Sequence, residues 1–172
     1  MHDFWVFGYG SLMWNPGFRH DEQLPARLYG YHRALCIYSH HYRGTVENPG
    51  LVLGLDRGGC CDGLAFHVPE NDAEATYHYL IEREQVNSVY IEKQKPIHLN
   101  NGRIVDGLFF VADRTHEQYA KKIDLGSMAT IIRQSRGLAG SNRDYVINTA
   151  MMLRQKNIRD KLLERLEKLL AD

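Results

Sequence analysis

The chain has 172 residues, enough for one domain with a substantial hydrophobic core. Its 21 basic and 21 acidic residues balance, so its charge gives no sign of a nucleic-acid or anionic-membrane partner. The three cysteines, Cys36, Cys60 and Cys61, match neither a disulfide framework nor a zinc motif and indicate thiols in a reducing cytoplasm. The sequence shows no signal-peptide pattern and no apolar run that could span a bilayer, so we expect a cytoplasmic protein with no membrane partner.

The chain opens with an apolar stretch that breaks into a glycine turn. Phe4–Phe7 suits a strand buried on both faces, and the turn sequence Gly8–Ser11 follows it directly. Two glycines allow a sharp turn, and consecutive N–H groups with the Ser11 hydroxyl suit a carboxylate or a developing oxyanion. An ordinary tight turn after a core strand explains the same pattern. The third glycine and the βαβ context of a dinucleotide-binding fingerprint are missing.

Several strands are predicted in the first third of the chain. Leu24–Tyr38 predicts one or two strands, broken at Gly30. Leu51–Asp56 and Asp62–Val68 predict two strands joined by a hairpin at Gly58-Gly59. Ser39–Gly50 between them reads as a polar loop that ends in a turn.

A group of basic side chains accompanies this loop. Their spacing supports no metal site, and they fit either a loop that faces an anion or a solvated loop. The group consists of His32, Arg33, His40, His41 and Arg43.

The first clear helix is predicted over Pro69–Glu84, with Asn71 or Asp72 as its cap. Spacing places Glu84 last on a face that is otherwise apolar, while Glu82 and Arg83 point to other, solvated sides. Partial burial and the negative end of the helix dipole would both raise the pKa of Glu84. Glu84 is therefore a candidate proton acceptor, although pairing with Arg83 or Arg43, or an end of the face in water, explains it equally.

The second half of the chain predicts a hairpin followed by helices. Strands are predicted over Ser88–Leu99 and Arg103–Ala112, joined by the turn Asn100-Asn101-Gly102. The predicted helices are one opened by a Thr115–Gln118 capping box, one over Ser127–Gln134, one capped by Ser141 or Asn142 and running to Gln155, and one within Asn157–Leu170 with the buried stripe Ile158, Leu162, Leu166 and Leu169. Strands first and helices gathered at the end predict an α+β fold, a sheet curled into a barrel with helices around it.

In chain order, four motifs resemble those of the γ-glutamylcyclotransferases, specifically the ChaC type that degrades glutathione. The motifs are Phe7–Leu12 followed by Trp14, Tyr42–Gly44 with Pro49-Gly50, Tyr79-Leu80 through Arg83-Glu84, and Gly137 with Gly140–Asn142 and Tyr145. The resemblance covers nearly the whole chain and implies a single γ-glutamylcyclotransferase-like domain over residues 1–172, a small mixed β-barrel with surrounding helices.

The resemblance implies that glutathione is the small-molecule substrate and that neither a cofactor nor a metal is needed. In that chemistry the substrate's own α-amine attacks its side-chain amide carbonyl, closes the lactam 5-oxoproline and releases Cys-Gly. It implies that Glu84 is the catalytic base. The candidate substrate-binding residues are Gly8, Tyr9, Gly10, Ser11, Leu12 and Met13 in the loop, which would hold the glutamyl group and the oxyanion, and Arg43 and Tyr145, which would anchor carboxylates.

The sequence departs from the family pattern after Glu84, where Gln85–Tyr90 replaces a frequent Lys-Gly-Gly-Tyr. Two alternative functions remain at this point. One is a cyclotransferase for other γ-glutamyl amines or peptides, and the other is a non-catalytic regulator of the cation-transport-regulator type. The C-terminal helix also fits a partner-binding face, and the sequence does not indicate an oligomeric state.

Overall fold

The structure, a computed structural model, describes residues 1–85 and 88–171. Its strands are β1 (Phe4–Gly8), β2 (Glu22–Ser39), β3 (Gly50–Val68), β4 (Tyr90–Leu99), β5 (Ile104–Ala112), β6 (Arg136–Gly137) and β7 (Gly140–Ser141). Its helices are α1 (Glu70–Glu84), α2 (Leu125–Gln134), α3 (Asn142–Gln155) and α4 (Lys161–Leu170). None of the helices in these described ranges is both long and apolar enough to cross a membrane.

Strands β1 to β5 close a barrel in the order β1-β3-β2-β4-β5. Strand β1 pairs antiparallel with β3 and parallel with β5, so the barrel is mixed. The predicted α+β fold class, a small mixed barrel with surrounding helices, is confirmed. The chain forms two compact units: Met1–Arg33 with Leu55–Asp113, and Ala34–Gly54 with the chain from Arg114 onward.

The first unit contains a core that joins the end of β1 to α1. Helix α1 contributes Leu80, which is fully buried, and Ala73 and Thr76 lie on the same buried side. The core cluster consists of Val6, Leu12, Val68, Leu80, Leu108 and Phe110. The helix was predicted correctly, but its cap was not. Pro69 occupies the N-cap position without a side-chain hydrogen bond, because Asn71 and Asp72 already lie inside the first turn.

The predicted hairpin at Gly58-Gly59 is wrong. Strand β3 continues for 19 residues through this point, and both glycines take a positive φ, 101° and 67°. Glycine tolerates this conformation within a strand, so the pair makes a local irregularity instead of a chain reversal. The segment Leu24–Tyr38 likewise lies within one strand, β2, in which Gly30 has a φ of 89°.

The β4–β5 hairpin is confirmed. The two strands pair in register from Tyr90 opposite Ala112 to His98 opposite Ile104, and Gly102 in the turn has a φ of 88°. Val86 and Asn87, which belong to the segment where the sequence departs from its family pattern, lie outside the described residues.

In the second unit the capping box predicted at Thr115 does not open a helix. Residues 114–118 form turns, because the Gln118 side chain donates to the Tyr38 carbonyl at 2.8 Å instead of reaching back to Thr115. Helix α2 begins later, at Leu125, where the Asp124 carboxylate accepts from the Ser127 N–H at 3.0 Å.

Helices α3 and α4 also belong to the second unit. The predicted Ser141 cap is confirmed, since its hydroxyl accepts from the Asp144 N–H at 3.0 Å. Helix α4 begins only at Lys161, so Ile158 lies outside it and the predicted stripe is wrong by one position. The leucines that α4 buries are Leu163, Leu166 and Leu170, whereas Leu169 is exposed.

Candidate active site

The loop after β1 is built on a single 3-10 turn over Ser11–Met13. The Met13 N–H donates to the Gly10 carbonyl at 2.9 Å, and the Asn15 N–H donates to the Ser11 carbonyl at 2.8 Å. Met13 was expected to offer its N–H to a substrate, but that donor is used inside the turn. Ser11 itself is exposed, so its hydroxyl reaches solvent.

Close packing explains the glycine at the start of this loop. A Cβ added to Gly8 would lie 3.2 Å from the Leu12 Cβ and 3.3 Å from the Phe66 ring, closer than ordinary contact. The side chains of Leu12 and Met13 are buried, so they anchor the loop to the core of the first unit. These two residues can therefore meet a ligand only through their backbone.

Arg33 holds the beginning of the loop from β2. Its Nε donates to the Tyr9 carbonyl at 2.7 Å, and its Nη2 donates to the Asp62 carbonyl at 2.7 Å. The side chain is buried, at 8% exposure. Its predicted place in a basic loop is wrong, because Arg33 lies in a strand and the loop histidines His40 and His41 belong to the second unit.

Arg83 ties the end of α1 to the same loop. Its Nη2 donates to the Ser11 hydroxyl at 2.9 Å, and its Nη1 donates to the Asn15 carbonyl at 2.7 Å and to the Tyr79 hydroxyl at 2.8 Å. The side chain is only 20% exposed, so the prediction of a solvated Arg83 is wrong. A helix residue of this kind is drawn inward by acceptors that lie about seventy positions earlier in the sequence.

Glu84 is the last residue of α1 and lies beside this arginine. The Arg83 Nε is 3.6 Å from the Glu84 Oε1, and the Glu84 side chain is 15% exposed. Burial raises the pKa of Glu84, while the adjacent Arg83 charge opposes the rise. The structure thus brings Ser11 and Glu84 to one guanidinium, and it gives a carboxylate with the basicity of a proton acceptor.

Arg43 and Tyr145 lie together in the second unit. The Arg43 guanidinium carbon is 5.3 Å from the centre of the Tyr145 ring, and its Nη1 donates to the Ser141 carbonyl at 3.4 Å. The Tyr145 hydroxyl accepts from the Leu53 N–H at 3.0 Å, so it helps to hold the start of β3. The stacked geometry fixes the Arg43 guanidinium, which suits it to bind a carboxylate.

Two residues with a structural part in this loop were missed by reasoning from the sequence. Arg33 and Arg83 are the arginines that hold the backbone and the hydroxyl of residues 9–16. The spacing of Tyr79 and Arg83, four residues apart on one helix face, was the available signal. Among the described residues, no group of three or more His, Cys, Asp or Glu side chains is arranged to hold a metal ion.

Comparison with known proteins identifies the class to which this fold and site belong. Residues 4–172 match the sequence model of the ChaC-like protein family, and the chain belongs to that family. It is 34% identical over 172 residues to the glutathione-specific γ-glutamylcyclotransferase of Escherichia coli, which covers 98% of this chain and 74% of the relative. It is 35% identical over 171 residues to the enzyme of the same name from Schizosaccharomyces pombe, covering 87% of this chain and 82% of the relative.

A solved structure agrees with the fold. The crystal structure of a glutathione-specific γ-glutamyl cyclotransferase from yeast superposes with a TM-score of 0.88, covering 99% of this chain and 96% of the other. The sequence identity between the two is 22%, so this likeness supports the fold alone.

Proposed function

We propose that this protein is a glutathione-specific γ-glutamylcyclotransferase, which converts glutathione to 5-oxoproline and Cys-Gly. Family membership and the glutathione-specific relatives support the reaction. One structural observation carries the assignment of the site: Arg83 contacts both the Ser11 hydroxyl and the largely buried Glu84 carboxylate. A base and a loop of hydrogen-bond donors therefore meet at one place in the first unit.

In the proposed reaction, Glu84 takes a proton from the substrate's α-ammonium group. The freed amine attacks the carbonyl carbon of the side-chain amide and forms the ring C–N bond. The oxyanion then collapses, the C–N bond to cysteine breaks, and protonated Glu84 returns its proton to the departing amine. The nucleophile belongs to the substrate, so the proposed reaction needs no metal, no cofactor and no protein nucleophile, and enforced folding of the glutamyl chain supplies much of the rate.

The loop after β1 is proposed to hold the glutamyl group and to stabilise the oxyanion. Arg83 has only donors, so the Ser11 oxygen must accept from it and keeps its own hydrogen to donate. The backbone N–H groups of Gly8, Tyr9, Gly10 and Leu12 remain the other candidates. Removal of one well-placed donor from such a site typically lowers the rate by about 10²–10³.

Arg43 and Tyr145 are proposed to anchor substrate carboxylates. The Arg43 guanidinium, held against the Tyr145 ring, is suited to a two-pronged contact with a carboxylate. Arg43→Gln should then raise KM for glutathione much more than it lowers kcat, because uniform binding would be lost. An unchanged KM would remove Arg43 from the site.

We further propose that the enzyme works in the cytoplasm on a small-molecule substrate, without a nucleic-acid or membrane partner. Cys36, Cys60 and Cys61 are all thiols, as expected in a reducing compartment where glutathione is abundant. Cell fractionation with an untagged chain would test the location, and recovery in a membrane or secreted fraction would contradict it.

The function is tested by incubating the purified protein with a panel of γ-glutamyl compounds and measuring 5-oxoproline. Glutathione should be turned over far faster than γ-glutamyl-alanine. Equal turnover of the two would favour the broader cyclotransferase, and no lactam from any substrate would favour the non-catalytic regulator.

A further inference from the structure

Arg83 satisfies acceptors of the loop after β1 from a single side chain. Besides the Ser11 hydroxyl and the Asn15 carbonyl, its Nη1 lies 3.2 Å from the Pro16 carbonyl. A guanidinium carries five N–H donors in a rigid fork, so it can bind several acceptors at fixed angles. A lysine at this position would keep the charge but could not reproduce the fork.

We propose that Arg83 is a positioning residue for the cyclotransferase reaction, which fixes the loop over residues 11–16 and the Glu84 carboxylate to one guanidinium. This proposal rests on the proposed function for its catalytic consequence, whereas the anchoring itself does not depend on the reaction. By using loop acceptors, Arg83 leaves donors on the loop to face the substrate.

Tyr79 and Gly17 support the same arrangement from the side. The Tyr79 hydroxyl accepts from the Arg83 Nη1 at 2.8 Å, and the ring centre lies 5.9 Å from the guanidinium carbon. A Cβ added to Gly17 would lie 2.1 Å from the Tyr79 hydroxyl oxygen, so the glycine leaves the space that this hydroxyl occupies. Arg83 is therefore held in place before any substrate arrives, as precise positioning requires.

Arg83 also acts on the charge of Glu84. The guanidinium is a permanent cation at 3.6 Å from the carboxylate, and it favours the ionised form that accepts a proton. Burial acts in the opposite direction on the pKa of Glu84. Loss of the cation should therefore raise the pKa further and move the acid limb of kcat/KM to higher pH.

The test compares Arg83→Gln, Arg83→Lys and the wild type in three measurements. For Arg83→Gln we expect amide hydrogen exchange over Ser11–Asn15 to become roughly tenfold faster or more. We expect kcat/KM for lactam formation to fall roughly 10–100-fold. We expect the acid limb of its pH profile to move upward. Arg83→Lys should return the acid limb toward its wild-type position without restoring slow exchange.

Arg103→Gln is the matched control, because it breaks an arginine–carboxylate pair of 3.0 Å with Glu22 elsewhere in the first unit. It should change neither the exchange over Ser11–Asn15 nor the acid limb. Wild-type exchange and an unmoved acid limb in Arg83→Gln would overturn the proposal, even if activity fell. If Arg83→Gln does not fold, Tyr79→Phe and Arg83→Lys must still speed the exchange, or the proposal is wrong.

The same variants separate this proposal from the proposed function. If the wild type forms no lactam, the function fails, but exchange and the titration of a ¹³C-labelled Glu84 carboxyl still test the anchoring. A titration midpoint that is the same in the wild type and in Arg83→Gln, together with unchanged exchange, would overturn the role of Arg83 alone.

Discussion

The Asn142 side chain pairs with both backbone polar groups of Leu51. It accepts from the Leu51 N–H at 2.8 Å and donates to the Leu51 carbonyl at 2.8 Å, as a neighbouring strand would. Both residues are fully buried. The late Asn in the family-like motif of this chain therefore has a structural role in the second unit, at the start of β3.

Asn142→Ala should destabilise the protein by at least about 2 kcal/mol, because it takes away both of these partners from buried backbone groups. Denaturant unfolding would measure the change. Asn101→Ala is the control, since Asn101 is exposed and accepts only from the Arg103 N–H in a turn. It should cost less than about 1 kcal/mol. Equal costs at the two positions would contradict the proposed pairing.

Glu84→Gln should leave the fold intact and reduce lactam formation by about 10²–10⁴, because an amide cannot take up the proton of the substrate's amine. A steady-state assay of 5-oxoproline release would measure the loss. Glu82→Gln is the matched control on the preceding turn position, where the side chain is exposed, and it should keep nearly full activity. Wild-type turnover by Glu84→Gln would show that another group is the base.

The pKa of Glu84 also predicts a stability effect. Burial raises this pKa in the folded protein, so the folded state binds the proton more tightly than the unfolded chain. The free energy of unfolding should then fall as pH rises from the unfolded pKa through the folded one. Glu84→Gln lacks this loss and should be at least as stable as the wild type at neutral pH. A clearly less stable variant would contradict the argument.

Gly17→Ala should lower both stability and activity. Gly17 has a φ of 75°, and its added Cβ would collide with the Tyr79 hydroxyl that contacts Arg83. Gly102→Ala separates the two effects, since Gly102 has a φ of 88° but no atom lies within 4 Å of the added Cβ. Backbone strain alone should cost about 1–2 kcal/mol, and the collision roughly 1–3 kcal/mol more. Thermal unfolding and lactam assays of both variants would check this difference.

His67 should stabilise the first unit in a pH-dependent way. Its Nδ1 lies 2.6 Å from an Asp21 oxygen, its Nε2 lies 3.0 Å from an Asp3 oxygen, and its ring packs 5.1 Å from the Trp5 ring. Burial alone would lower the pKa of His67, but the hydrogen bonds to the two carboxylates outweigh it and raise the pKa. The stabilisation is therefore complete below the unfolded pKa of about 6.5 and is lost as pH rises through the higher folded pKa.

His67→Phe should accordingly cost most near about pH 6 and progressively less toward higher pH, as measured by denaturant unfolding at several pH values. Asp21→Asn removes one of the two carboxylates and should reduce this pH dependence while keeping the histidine. A difference between wild type and His67→Phe that does not change with pH would contradict the interpretation.

The sequence by itself determined the features that depend on neighbouring residues. The turn after Phe4–Phe7, the helix that ends at Glu84, and the β4–β5 hairpin each follow from local periodicity and turn residues. Glu84 could be singled out because one carboxylate closed an otherwise apolar helix face. The Ser141 cap was also visible, since a cap acts within three residues.

Only the tertiary structure decided which distant groups meet. Arg83 reads as a solvated helix residue until β1 and its loop bring acceptors from the start of the chain to the end of α1. The Thr115–Gln118 box fails for the same reason, because Tyr38 offers Gln118 a better partner than the local backbone. Gly58-Gly59 permits either a hairpin or a continuous strand, and pairing within the closed barrel selects the strand. Local patterns encode local hydrogen bonds, whereas these outcomes depend on strand order.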